Sequence, residues 1–149
     1  MADRAYTHAK GEFLRGNVDW ENDNIDALLV MTNTTTDTED TSIEVLSDFS
    51  TLDEFSGSNY LRIDVPSRTV TDDFVNSKAK LSCGNLVWNA IAPHLATAVR
   101  QIQAIIIFQN NGGAALDVPL FYLDSFGSAF NPGGNKQTFT PDISGLISF

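Results

Sequence analysis

Between Ala104 and Phe149 short apolar runs alternate with turn signals, and this pattern limits the choice of fold more than any other in the chain. The stretch reads Ala104-Ile105-Ile106-Ile107-Phe108, then Asn110-Asn111-Gly112-Gly113, then Leu120-Phe121-Tyr122-Leu123-Asp124, then Asn131-Pro132-Gly133-Gly134, then Thr138-Phe139 onward to Leu146. Each apolar run has strand length, and each break carries the Asn, Gly or Pro that a turn needs. Within Ala98 to Phe108, alternation places Ile102, Ala104, Ile106 and Phe108 on one face and Ile105 and Ile107 on the other. A strand apolar on both faces belongs in the middle of a sandwich or under an interface.

The rest of the chain continues the pattern. Ile25 to Met31 is an apolar run bounded by Asn-rich sequence and reads as a buried strand. Tyr60 to Val65 alternates, and Pro66 limits that strand or places it at an edge. Thr69-Val70-Thr71 is β-prone, with Asp72-Asp73 expected to turn the chain. Lys78 to Ile91 alternates with a phase shift at Gly84-Asn85, as a bulge or tight turn produces. Ile43, Leu46, Phe49, Leu52 and Phe55 recur every three residues, which predicts two short helical turns laid on the core. Residues 32–42 lack any large apolar side chain and are expected to form a solvated loop, and 13–20 a first strand or edge turn. Residues 1–12 are polar and unpatterned, the profile of an arm that orders only against a neighbour. Phe139 and Ile143 to Phe149 are expected to complete the sheet. Seven or eight strands with turns at roughly 10-residue spacing predict an all-β fold, a jelly-roll-like β-sandwich with one short helical segment. One domain, 13–149, is expected behind the arm. A chain of 149 residues can bury about 68–70% of the surface its unfolded form exposes.

Charge and residue usage exclude several functions. With 19 acidic and 9 basic residues the formal charge is −10, and no run of basic residues interrupts it. Such a surface repels phosphate backbones, so no nucleic-acid partner is expected. No apolar stretch approaches the roughly 18 residues of a membrane span, and Met1 to His8 has no apolar core of a signal peptide, so no membrane partner is expected either. Cys83, the one cysteine, lies in an apolar segment, reads as a small core residue and leaves no intrachain disulfide.

Candidate chemistry fails on spacing. Asp19 to Asp26 places oxygen ligands at alternate positions, as a calcium loop does, but Asn24 and Val30 stand where the Gly and the Glu of an EF-hand belong. His8 and His94 have no Cys, Asp or Glu at zinc spacing. No nucleophile elbow, phosphate loop, dinucleotide fingerprint or Cys-x-x-Cys occurs. Asp64, Asp72, Asp73 and Asp124 are carboxylates at strand ends, where turn residues are the ordinary reading, and a Ser-His-acid triad around His94 has nothing pointing to it. The chain is therefore expected not to be an enzyme, with no catalytic residue, metal or cofactor. Trp20, Tyr60, Trp88 and Tyr122 could stack on a sugar ring, although Trp88 and Tyr122 sit in alternating runs where core placement is the default.

The order of four stretches resembles a family of small virion structural proteins of tailed bacteriophages. The first is Phe13 to Trp20 followed by Asn24 to Val30, and the second is Leu46 to Gly57 leading into Tyr60-Leu61-Arg62. The third is Thr69 to Asp73, Asn76 and Leu86 to Ala90, and the fourth is the C-terminal strand-turn series to Ile147. Ser125-Phe126-Gly127 departs from the compact Gly-rich turn more usual in that family. The resemblance implies a decoration or cement protein bound to the outside of a capsid shell, assembled in the host cytoplasm. Its implied partner is the major capsid protein, and its implied self-association is a trimer. Interface residues expected under this reading are Tyr6, His8, Phe13, Phe126 and Phe130. Two other readings stay open: a tail or neck component of the virion, and a carbohydrate- or receptor-binding sandwich module.

Overall fold

A computed structural model describes residues 3–92 and 101–147. Pro93, His94 and the stretch 98–100 expected to open the longest strand lie outside them, as does Phe149. Among the described residues are nine strands, one α-helix and one 3-10 turn: β1 (Arg4–Ala5), α1 (Thr7–Arg15), β2 (Ile25–Met31), the 3-10 turn Leu46–Asp48, β3 (Ile63–Asp64), β4 (Thr69–Asp73), β5 (Lys78–Ser82), β6 (Leu86–Trp88), β7 (Ile102–Gln109), β8 (Val118–Leu123) and β9 (Gln137–Phe139). The fold is all-β and sandwich-like. A five-stranded sheet of order β1-β8-β7-β2-β3 carries the core, and β4-β5 and β6-β9 form two separate two-stranded ladders. Every pairing is antiparallel.

The run Ile25–Met31 becomes β2 because almost every residue in it needs burial. It pairs along its length with β7, which pairs in turn with β8. Register puts Leu29, Ile105 and Leu123 in one row, with Ala27, Ile107 and Phe121 beside it on the same face. The opposite face carries Leu28, Ile106 and Tyr122. All of these are buried, so both faces are covered, as the doubly apolar pattern requires. On the first face, Phe13 of α1 and Trp20 pack on Phe121, with ring centroids 6.2 and 5.7 Å apart. On the second, Arg4 stands opposite Tyr122 and donates to the carbonyls of Thr36 and Glu39. The irregular segment 32–62 crosses there, and the Arg62 guanidinium lies 5.0 Å from the Phe108 ring centre. Pro119 is tolerated inside β8 because it faces Phe108 at a register shift, where the ladder is already interrupted.

Several expectations are corrected. The described part of the N-terminal arm is built into the domain: Ala5 pairs with Phe121, Tyr6 is fully buried, and Thr7 begins a helix. Residues 13–15 are the end of that helix rather than a first strand, and 17–24 are irregular chain with a turn at 20–22. Tyr6, at the N-cap, supplies no side-chain cap. The Thr7 N–H donates instead to Asp40 at 2.8 Å, so a residue from a distant loop satisfies a helix end that local sequence leaves open. Gly16, at φ 75°, closes the helix with bonds back to Glu12 and Phe13.

The segment 32–42 is not a solvated loop. Thr36 is fully buried and Thr34 nearly so; their hydroxyls bond each other, and the Tyr6 hydroxyl donates to the Thr36 carbonyl. Burial raises the Tyr6 pKa. Residues 43–55 give one 3-10 turn, not two helical turns, although Ile43, Leu46, Phe49 and Phe55 do reach the core. Asp72-Asp73 end β4 rather than turn the chain, and the turn follows at 74–77. Ile143 and Ile147 are buried in turns and coil, not in a strand.

The edge of β2 shows how irregular chain substitutes for a strand. The Ile25 carbonyl accepts from Val65, the Leu29 carbonyl from Phe55, and Met31 N–H donates to Asp53. Between these the chain leaves the sheet, and the Tyr60 hydroxyl accepts the Leu29 N–H at 3.0 Å while donating to Glu54 at 2.9 Å. A strand N–H that would be unpaired is thereby satisfied.

Candidate functional site

Several of the carboxylates and cations that could carry chemistry are engaged in holding the chain. In the acidic turn, Asp19 accepts from the N–H groups of Glu21 and Asn22, and Asp23 accepts from Asp19 N–H and from Gln109. Arg68 donates to the carbonyls of Trp20, Asp23 and Val65, drawing the turn onto β3. No group of three or more His, Cys, Asp or Glu among the described residues is placed to hold a metal ion. Asp64 pairs with Arg68, and Asp73 with Lys80. Burial pushes the Cys83 thiol up to about 11, so it stays protonated at neutral pH and is a poor nucleophile.

A second polar cluster has no signature in the sequence. Arg62 grips Glu54 with two hydrogen bonds of 2.9 and 2.7 Å and lies 3.5 Å from the buried Asp117. Asp117 in turn accepts the N–H groups of Asn111 and Gly113. The cluster joins the crossing segment to the β7–β8 loop, and each charge has a partner, as the buried Asp117 carboxylate requires. Arg62 and Asp117 lie far apart in sequence, so no local signal marks their pairing.

Among the described residues, the two most exposed large apolar side chains lie on the β4–β5 hairpin, ahead of Leu61, Leu14 and Leu116 elsewhere. Thr69 pairs with Ser82 and Asp73 with Lys78, and the base is anchored by the Trp20 indole N–H donating to the Ser82 carbonyl at 3.0 Å. At the tip, Asp73 accepts from the backbone and side chain of Asn76 and from Lys80 at 2.6 Å. These bonds, Asn76 first and then Lys80, hold the Asp73 carboxyl well below the usual carboxylate range. The turn is thus fixed from within, and it carries Phe74 at 87% exposure and Val75 at 93%. Exposed apolar side chains on a turn held by its own hydrogen bonds would lose little freedom on contact with another surface. The signal was present in the sequence: an apolar pair flanked by Asp72-Asp73 and Asn76-Ser77 has turn residues on both sides and no strand phase to bury it.

Between this hairpin and α1 runs a groove of about 350 Å³, lined by Phe13, Val18, Trp20, Val70, Leu81 and Ile147. Exposed Leu14 follows Phe13 on the helix. A more polar cleft of about 390 Å³ lies between α1 and residues 40–44, with His8, Arg15, Asp40 and Glu44 in its wall.

The five expected interface residues separate. Tyr6 is fully buried and offers no surface in the monomer, which corrects its placement there. His8 is half-buried in the polar cleft, and Phe13 half-buried in the apolar groove. Phe126 and Phe130 are also half-buried, stacked with Phe139 in an aromatic cluster that reaches Trp88. Of the rings proposed for sugar stacking, Trp20, Trp88 and Tyr122 are buried, and Tyr60 is half-buried with its hydroxyl engaged. His94 lies outside the described residues. No helix among the described residues is long and apolar enough to cross a membrane.

Comparison with family models, with curated proteins and with solved structures returned no match.

Proposed function

We propose that this chain is a virion structural protein that binds the outside of a phage capsid shell and stabilises it. The observation that carries the reading is the β4–β5 hairpin, whose internally fixed turn holds Phe74 and Val75 in solvent. A protein that cements a lattice needs such a preorganised contact element and needs no reacting group. The ordered likeness of the sequence segments to small phage virion proteins supports the same reading, as does the charge of −10, which is better tolerated outside a shell than against packaged genome. The partner is then the major capsid protein, the position is the capsid surface, and self-association as a trimer fits a symmetric lattice site.

The test is to assemble shells with and without the protein and to measure co-sedimentation and the temperature at which shells rupture. Binding with raised rupture temperature is expected. A Phe74→Ser/Val75→Ser double variant, folded as the parent, should lose both effects. Unchanged shell resistance with the protein present would sink the cementing role. A copy number per particle on the scale of the tail, rather than of the capsid lattice, would move the same hairpin to a tail or neck contact.

A further inference from the structure

Asn111-Gly112 is the one Asn-Gly step in the chain. It sits in the β7–β8 loop with both residues exposed to water. Gly112 adopts φ 100°, and open space lies where a side chain would project from it. In such a step the following backbone nitrogen can reach the asparagine carbonyl carbon without steric hindrance, because glycine has no Cβ to block the approach.

In the folded loop every participating group is held. The Asn111 side-chain Nδ2 donates to the Leu116 carbonyl at 3.0 Å and to Gln109 Oε1 at 3.3 Å. The Asn111 backbone N–H donates to Asp117 Oδ1 at 2.8 Å, and the Gly113 N–H to the same oxygen at 3.1 Å. The would-be nucleophile, the Gly112 nitrogen, donates to Asn110 Oδ1 at 3.0 Å. Asp117 itself is buried beside Arg62, so its grip on the loop is backed by the ion network.

We propose that Asn111 is a deamidation site whose rate is set by the Asp117 clamp on this loop. When the loop opens, the Gly112 nitrogen attacks Asn111 Cγ. The new N–C bond forms, the Cγ–Nδ2 bond breaks, and ammonia leaves with the nitrogen's proton, giving a five-membered succinimide. Water then adds to either ring carbonyl and opens it to an aspartate or an isoaspartate, so the net change is amide plus water to carboxylate plus ammonium, with no redox step. The product cannot restore the loop. A carboxylate has no donor for the Leu116 carbonyl or Gln109 Oε1, and both oxygens would then face an anion. An isoaspartate also lengthens the backbone by one carbon. The modification therefore acts as a one-way release of residues 110–117. This inference does not depend on the capsid reading.

The experiment is a time course of purified full-length protein in mildly alkaline buffer at physiological temperature, read by peptide mapping with mass spectrometry and isoaspartate-specific fragmentation. Acid forms are expected at position 111 ahead of every other asparagine. Asp117→Asn should accumulate them several-fold faster, and Gly112→Ala, compared with its parent in urea where the loop is open in both, several-fold more slowly. Should Asp117→Asn fail to fold, wild type in native buffer against wild type in urea makes the same comparison, with several-fold acceleration expected on unfolding. An amide retained at 111 while other asparagines convert overturns the site. Equal rates in folded and unfolded protein overturn the clamp.

Discussion

The β2–β7 ladder and the β4–β5 hairpin use the same antiparallel pairing and stand at opposite extremes of burial. Leu28, Leu29, Ile106 and Ile107 in the first ladder are out of solvent on both sheet faces. In the second, four of the five residues of β4 are exposed, and Leu81 alone of β5 is buried. Backbone hydrogen bonding is similar in the two, so it does not account for the difference. What differs is cover: α1 and Trp20 close one face of the large sheet and segment 32–62 the other, while the hairpin is tied down mainly at its base. An isolated two-stranded ladder is marginal in water. This one persists through Trp20, Glu21 and the Asp73 turn lock. The core ladder gives the molecule its stability, and the hairpin gives it a surface.

Mutations that break the comparison should rank accordingly. The largest effect is expected for Ile106→Ala, which leaves a cavity in a row covered on both sides and should cost about 2–5 kcal/mol in denaturant unfolding. Next is Tyr60→Phe at the sheet edge. It removes the acceptor for the Leu29 N–H and the donor to Glu54, and should cost about 1–2 kcal/mol by the same measurement. The hairpin tip should behave oppositely: Phe74→Ser/Val75→Ser is expected to change stability by no more than about 0.5 kcal/mol while abolishing shell co-sedimentation. A destabilisation comparable to that of Ile106→Ala would show the tip to be structural and would remove it as a docking element.

The smallest effect is electrostatic. Asp73, held by Asn76 and Lys80, and Glu39, held by Ser50 and Thr35, have carboxyls below the ordinary range. Each binds protons more weakly folded than unfolded. Their contribution is therefore fully present above the ordinary carboxylate pKa of about 4 and is lost as pH falls through the lowered folded values. Both are solvent-exposed, so the expected loss per group is small. Carboxyl titration by NMR should show the Asp73 pKa rising toward the ordinary value in Asn76→Ala, and an unchanged value would remove Asn76 as the cause.

How far the sequence could be read follows from the same contrast. The strands at 25–31, 102–109 and 118–123 were legible because their apolar runs are continuous and end at Asn, Gly or Asp. The phase shift at Gly84-Asn85 coincides with the break between β5 and β6, but instead of a bulge or tight turn within one strand pair it divides strands of two different ladders. The segment 3–15 was not legible. Its nine-residue helix contains Gly11 and lacks an acidic first turn, so local propensity argues against it, and such a short helix is marginal alone. Of the candidate interface, Phe13 lines a groove, whereas Tyr6, in a segment whose polar, unpatterned sequence reads as an arm, is buried with its hydroxyl on the carbonyl of Thr36, thirty residues away. Phe74 and Val75 fall in a turn, outside any alternating run, so periodicity carries no signal for them.

By itself, the sequence determined the all-β class, the doubly buried central strands and the positions of their turns. Those depend on which residues cannot stay in water, and that is a local property. Only the tertiary structure decided that the N-terminal segment is a helix capped by Asp40, that Thr36 is interior, and that Arg62 joins Glu54 to Asp117. Each of those outcomes rests on a polar group finding a partner more than thirty residues away or across a loop. Hydrophobic periodicity records the need for burial, but not where a distant hydrogen bond will come from.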